Sequence, residues 1–221
     1  MDFYYAVPSG TPVCPGEKAA VLLDIFAPGF SLPPTFTPEI LPVLIDRHPY
    51  SADAATNALR QLTPLLGSLA AGILLDFQRD PTPPILNFLR SLRQVAACPL
   101  AVPPEFFQGE GFVFLPPIPP DTLLVQALAP WQGTGIFLDI SPSPTELCLT
   151  ASGCQISPTQ IPEKEGLQDT ALFCHYTVSL QPGKASFTLW RTREDAVALC
   201  RQVDTLGIHA CVTLWQEWTH G

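Results

Sequence analysis

Eight short runs of aliphatic and β-branched residues, spread along 221 residues, constrain this chain more than any other feature. They are Phe3 to Val7, Ala19 to Ile25, Val43 to Asp46, Ile73 to Phe77, Leu100 to Val102, Phe112 to Leu115, Ile136 to Ile140 and Ala210 to Leu214. Most are continuously apolar, without the alternation of a strand that has one wet face, so they need cover on both sides. Strands of that kind lie parallel under helices. Four helical covers are readable. Ser51 can cap a helix carrying Ala55, Leu59, Leu62, Leu66 and Leu69, which Pro64 should kink or divide. Thr82-Pro83 opens a second, with Ile85, Phe88, Leu89 and Leu92 on one side. Asp121 begins a third. Thr192-Arg193-Glu194-Asp195 has the form of a capping box with Asp in the usual Glu place, followed by Val197, Cys200, Val203 and Leu206 and closed by Gly207.

Eight parallel runs with helices between them predict an α/β fold, a small and degenerate (β/α)₈ barrel, since 221 residues is at the low end for that architecture. Proline-rich loops such as Leu32-Pro33-Pro34 stand where some helices are missing. A doubly wound open sheet is the alternative. Between about 141 and 190 the pattern switches to alternating, turn-bounded segments, Glu146 to Thr150, Leu172 to Leu180 and Ser186 to Trp190. These predict an antiparallel insertion before the last strand, within one barrel domain covering 1–221.

A net charge of -9, with eleven Lys and Arg, offers no basic stripe to neutralise phosphates, which argues against nucleic acid and anionic membranes as partners. The greasy stretch from Leu65 to Leu75 is too short to cross a bilayer as a helix. The first residues lack the pattern of a signal peptide, and the seven cysteines are odd in number without a C-x-x-C pair. The default expectation is a cytoplasmic protein with reduced thiols and no structural metal. Only 14% of residues are charged, leaving apolar surface that a homo-oligomer could share. Cys174 beside His175 is not a nucleophile–base pair, because strand neighbours point to opposite faces. No phosphate loop, dinucleotide fingerprint, metalloprotease helix or serine elbow is present, so no cofactor is expected.

Four runs end alike, in Asp24, Asp46, Asp76 and Asp139. Any one of them can simply cap a loop. In a barrel, however, the C-terminal strand ends share one mouth, where substrates bind, so four together point to a functional rim.

The strand Ala71-Gly72-Ile73-Leu74-Leu75-Asp76-Phe77-Gln78 resembles the signature D-G-x-D-x-D-x-E of glycoside hydrolase family 18, the chitinase-like enzymes. Gly72, Asp76 and the aromatic Phe77 match; Ala71, Leu74 and Gln78 stand where the family has acids. His175-Tyr176, Ser186 to Trp190, the helix from Arg193, and Gly207 to Trp215 resemble the family's closing pattern, in which an insertion precedes a last strand ending in tryptophan. The resemblance implies that Trp215 floors a sugar cleft, and that the final acid of the signature protonates the glycosidic oxygen while Asp76 orients the substrate's acetamido group. It also implies an N-acetylated oligosaccharide or peptidoglycan fragment as partner.

The departures bear on mechanism. Residues two apart share a strand face, so Asp76 and Gln78 should be neighbours, but an amide cannot supply the proton of a carboxylic acid. Losing general acid catalysis costs about 10² to 10⁴ in rate. The family's Met-x-Tyr on the sixth strand is replaced by Phe114-Leu115-Pro116. Glu217 and Glu105 are substitute acids by position, without a motif around either. Trp131, Trp190, Trp215 and Trp218 offer flat apolar area for sugar rings, and His48 follows Asp46-Arg47 toward the mouth. The expectation is a catalytically impaired, glycan-binding or interaction module. A hydrolase with rearranged carboxylates, or a structural subunit, is the alternative.

Overall fold

The computed structural model describes residues 2–9, 18–32, 40–67, 69, 72–142, 144–163 and 165–214. In chain order the strands are β1 (Asp2–Pro8), β2 (Ala19–Asp24), β3 (Leu41–Ile45), β4 (Ile73–Asp76), β5 (Leu100–Val102), β6 (Phe112–Leu115) and β7 (Gly135–Asp139). An insertion follows with β8 (Thr145–Thr150), β9 (Gly153–Pro158), β10 (Leu167–Asp169), β11 (Cys174–Gln181) and β12 (Lys184–Trp190), before β13 (Ala210–Leu214). The seven first strands and β13 form a closed parallel barrel, sealed where β13 lies between β7 and β1. Closure excludes the open doubly wound sheet. The chain is a small α/β barrel with an antiparallel insertion, and each of the eight apolar runs is one of its staves.

The barrel is filled. Tyr4, Leu41, Val43, Leu74, Phe114, Phe137 and Val212 pack inside it with Ala6, Ala20, Ala101 and Ala210, the small residues making room for the rings. Alternate residues face outward: Val21, Leu23, Leu44, Ile73 and Leu75 are buried under α1 (Ala52–Leu62) and α2 (Pro83–Val95). This two-sided burial is the physical reason for the unbroken apolar runs.

Helix starts follow the caps. The Ser51 hydroxyl accepts from the Ala54 amide at 3.5 Å, and α1 stops at Leu62, two residues before Pro64. Pro83 is the first residue of α2, although Thr82 contributes no side-chain cap. The third helix, α3 (Leu124–Leu128), begins three residues later than Asp121, because the Thr122 amide donates to Pro119 O at 3.0 Å and spends this segment on a turn. In α4 (Arg193–Asp204) the capping box forms as expected, with the Asp195 amide donating to Thr192 Oγ1 and the Thr192 amide to Asp195 Oδ2. Its buried face is Ala196, Leu199, Cys200 and Val203, while Val197 and Leu206 are exposed. Leu206 lies beyond the helix, which ends at Asp204, and at 100° per residue Val197 is about 110° around from the centre of that buried face. The helix ends at Asp204 with Thr205 as its C-cap, earlier than the expected stop at Gly207, which follows in the turn at φ +76°.

The insertion is a five-stranded antiparallel sheet in the order β10-β11-β12-β8-β9. Strands β9 and β10 carry no clear apolar alternation, and sequence reasoning does not find them. Two devices tie the sheet to the barrel. Arg191, 4% exposed, donates from its guanidinium to the carbonyls of Ile118, Phe173 and Leu172, joining the proline loop to the root of the insertion and holding Phe173 at φ +52°. His175 on β11 pairs through Nδ1 with Asp195 Oδ2 on α4 at 2.7 Å. Cys174, its neighbour, points the other way, buried with its thiol toward Pro120 O at 3.7 Å and its pKa pushed up by burial to about 11. Among the described residues no helix is long and apolar enough to cross a membrane.

Burial alone would raise the Asp195 carboxyl, but hydrogen bonds from the Thr192 amide, His175, Gln168 and the Thr192 hydroxyl outweigh it and hold the pKa below the ordinary value. Its stabilising contribution is therefore present above the unfolded-state pKa of about 4 and is lost as pH falls through the lower folded value. Asp195→Ala should cost about 2 kcal/mol at neutral pH, from the lost cap and the orphaned donors, and the deficit should shrink in acid. Denaturant titrations at several pH values check this; a deficit that grows toward low pH contradicts it. Gly72, at φ +100°, would place a Cβ 2.7 Å from Pro99 O, so Gly72→Ala should lose roughly 1 to 3 kcal/mol in the same assay.

Candidate functional site

Parity along the strands determines which strand-end acids look into the mouth. Leu22, Leu74 and Phe137 belong to the barrel interior, so Asp24, Asp76 and Asp139, each two residues on, share that side. The register puts Asp24 beside Ile45 and Ile45 beside Asp76. Asp46 is therefore one residue beyond this layer, and the four acids are not equivalent.

Asp46 is 2% exposed and is spent on backbone. One carboxylate oxygen accepts the Gln78 amide at 2.8 Å and the other the Arg79 amide at 3.1 Å. Arg79 returns the bond: its Nε donates to Asp46 O and its terminal nitrogen to Arg47 O, each at 3.0 Å. The end of β3 thus straps down the loop after β4. No motif announces this role, and Arg79 carries no signal that sequence reasoning could have used.

The strap aims the Gln78 side chain. Its Nε2 donates to Asp76 Oδ1 at 2.5 Å, the side-by-side arrangement expected for residues two apart. Burial pushes the Asp76 carboxyl above its ordinary pKa; the Gln78 bond opposes this, the charge of Asp46 adds to it and that of Arg47 subtracts.

Asp76, Gln78, Glu105 and Asp139 all line one open cleft of about 420 Å³ at the C-terminal ends of β4 to β7. Proline residues wall it, Pro81 on one loop, Pro103 and Pro104 on the next and Pro116 and Pro117 on a third, with Phe114 below. Proline fixes φ and supplies no amide, so these walls are stiff and poor in donors, leaving the polar work to those four side chains with Arg79 and Asp80. Glu105 is exposed, on a single 3₁₀ turn from Pro104 to Phe106. Asp139 accepts the Ser141 amide at 2.7 Å.

The remaining expected residues are placed elsewhere. Asp24 does not line this cleft; its Oδ2 meets His48 Nδ1 at 2.6 Å, and its Oδ1 is buried without a hydrogen-bond partner. Trp131 packs edge-on against Phe107 in the outer layer, ring centres 5.6 Å apart. Trp190 is 5% exposed beside His175 and close against Gly166. Trp215, Glu217 and Trp218 fall outside the described residues. Among the described residues no group of three or more His, Cys, Asp or Glu is arranged to hold a metal ion.

The architecture has solved counterparts. The spore cortex-lytic enzyme SleL of Bacillus megaterium QM B1551 superposes with a TM-score of 0.53 over 97% of this chain and 70% of its own, at 11% identity. The likeness is one of fold. SleL of Bacillus cereus gives a TM-score of 0.47 at 12% identity, over 96% of this chain and 70% of that one. No protein-family model matches the sequence, and no curated protein matches it.

Asp76→Asn keeps an oxygen to accept the Gln78 amide and removes the titration. Because folding raises the Asp76 pKa, the wild type loses stability relative to this variant as pH climbs from about 4 through the folded value. The variant should be the more stable protein at neutral pH, and the two should converge in acid. Thermal unfolding between about pH 3 and 7 reads the difference. A wild type that gains on Asp76→Asn with rising pH contradicts it.

Proposed function

We propose that this protein is a degenerate barrel of the glycoside hydrolase family 18 type, one domain over 1–221, that binds N-acetylglucosamine-containing glycan at the cleft above β4 to β7 without cleaving it by the family's route. The observation that carries this reading is the Gln78 amide donating to Asp76 Oδ1. A general acid at that place must hold a proton it can release to a leaving oxygen, and a neutral amide has none to give near neutral pH. Asp76 keeps the ability to accept from an acetamido N–H. Phe114 below the cleft brings no phenol to a substrate carbonyl.

The fold shared with an enzyme named for lysis of spore cortex supports a glycan as the ligand class. The cleft fits such a ligand in size: about 420 Å³ lies in the range of small-molecule sites.

One observation favours a second reading, an active glycosidase with rearranged carboxylates. Glu105 and Asp139 line the same open cleft as Asp76 and Asp80, so four carboxyl groups beyond three strand ends surround one space. Chemistry by a carboxylate pair would need two of them about 5 Å apart, or about 6.5 to 9.5 Å apart with water between.

Titration with N-acetylglucosamine oligomers and peptidoglycan fragments, alongside an assay for new reducing ends, separates the readings. Binding at or below millimolar concentration, weakened at least tenfold in Asp76→Ala, with no reducing ends released, is the expected result. Turnover that vanishes in Glu105→Gln establishes the second reading, and absence of binding at millimolar ligand removes the glycan altogether.

A further inference from the structure

The insertion sheet has two chemically opposite faces, and the apolar one is uncovered. Side chains of directly paired antiparallel residues share a face. Ile156, Leu147, Phe187 and Val178 are paired in a row across β9, β8, β12 and β11. Two residues along, Cys154, Leu149, Ala185 and Leu180 make a second such row. Leu167, paired with Tyr176, extends the face onto β10. The other side of the same strands carries Ser157, Glu146, Thr188 and Thr177. Exposure is high where an isolated sheet should hide its apolar groups: Leu180 is 76% exposed, Leu167 63%, Ile156 58% and Val178 44%. Exposed apolar patches of this contiguity mark interaction sites.

Charge and area indicate the occupant. The whole chain carries -9, so two copies repel over most of their surfaces. Among the described residues of the apolar face the only charged side chain is Asp169, at the end nearest the barrel, and its carboxylate is turned into the Ala171 and Leu172 amides. The face therefore lets like copies approach without juxtaposing charge, and offers a charged partner nothing to pair with. Five strands of about six residues span roughly 20 by 24 Å, about 500 Å² per copy, so two stacked faces would bury on the order of 1,000 Å². That is enough for a specific but weak interface.

We propose that this face is the contact between two copies of the chain, stacked sheet on sheet about a two-fold axis, with the faces about 10 Å apart in the aligned manner of a β-sandwich. A two-fold contact sets the same patch of both copies against each other, and an apolar face with no free charge tolerates that pairing. None of the residues that line the cleft is on this face, so dimerisation does not depend on the glycan reading.

Sedimentation of the full chain over a concentration series tests it. The wild type should pass from monomer to dimer in the micromolar range. Leu180→Asp, at the most exposed position, should raise the dissociation constant at least tenfold while leaving the circular dichroism spectrum and dilute-solution unfolding midpoint unchanged. Gln155→Asp, on the polar face, should dimerise as the wild type does. Ile156→Asp provides an independent check from another strand. A wild type that stays monomeric at several hundred micromolar overturns the proposal. So does a dimer that Leu180→Asp and Ile156→Asp leave intact, which would place the contact on the free edge of β9 or elsewhere.

Discussion

Closure of the ring is the constraint from which the remaining geometry follows. When β13 pairs with β1 from Asp2 and Ala210 to Ala6 and Leu214, the first and last strands become neighbours and every parallel strand gains partners on both sides. The enclosed space is small, and interleaved rings and alanines fill it. No ligand can enter a barrel packed in this way, so polar chemistry is confined to the rim. At the C-terminal rim the inward parity that buries Leu74 and Phe137 delivers Asp76 and Asp139 two residues later.

The rim is held by polar groups used for structure. Asp46 pins the loop after β4 through two backbone amides, and Arg79 closes the bracket by donating to carbonyls of Asp46 and Arg47. A carboxylate that is 2% exposed and already doubly bonded is a support, not a reagent. The support fixes where Gln78 points, and Gln78 in turn occupies Asp76. What the cleft can do thus depends on a buried residue that never reaches it. The insertion uses the same device at another place, where Asp195 serves the helix N-terminus, His175 and Gln168 with one carboxylate.

Much of this was legible beforehand. The eight apolar runs correspond to the eight staves because burial on two faces leaves an unbroken apolar signature, which a loop does not imitate. Ser51, Pro83 and Thr192 mark helix starts because capping is local chemistry. The α4 face was misread because a three-residue repeat of apolar positions drifts around a helix whose period is 3.6, and only packing shows which part of the drift is buried. Asp121 failed as a helix start because a turn closed on Pro119 competed for the same amides.

The candidate site divides in the same way. Local sequence determined that an amide would stand two residues after Asp76, where a proton donor is expected; because β4 ends at Asp76, the Asp46 strap is what turns that amide back onto it. The sequence marked Gly72 only as part of the signature; that nothing larger fits there is a tertiary fact, set by the Pro99 carbonyl 2.7 Å from where a Cβ would lie. Tertiary structure alone decided that Glu105 and Asp139 share the cleft with Asp76, that Asp24 turns to His48, and that Asp46 is structural. Those outcomes depend on register between strands far apart in the chain, where a shift of one residue moves a side chain from the mouth to a loop.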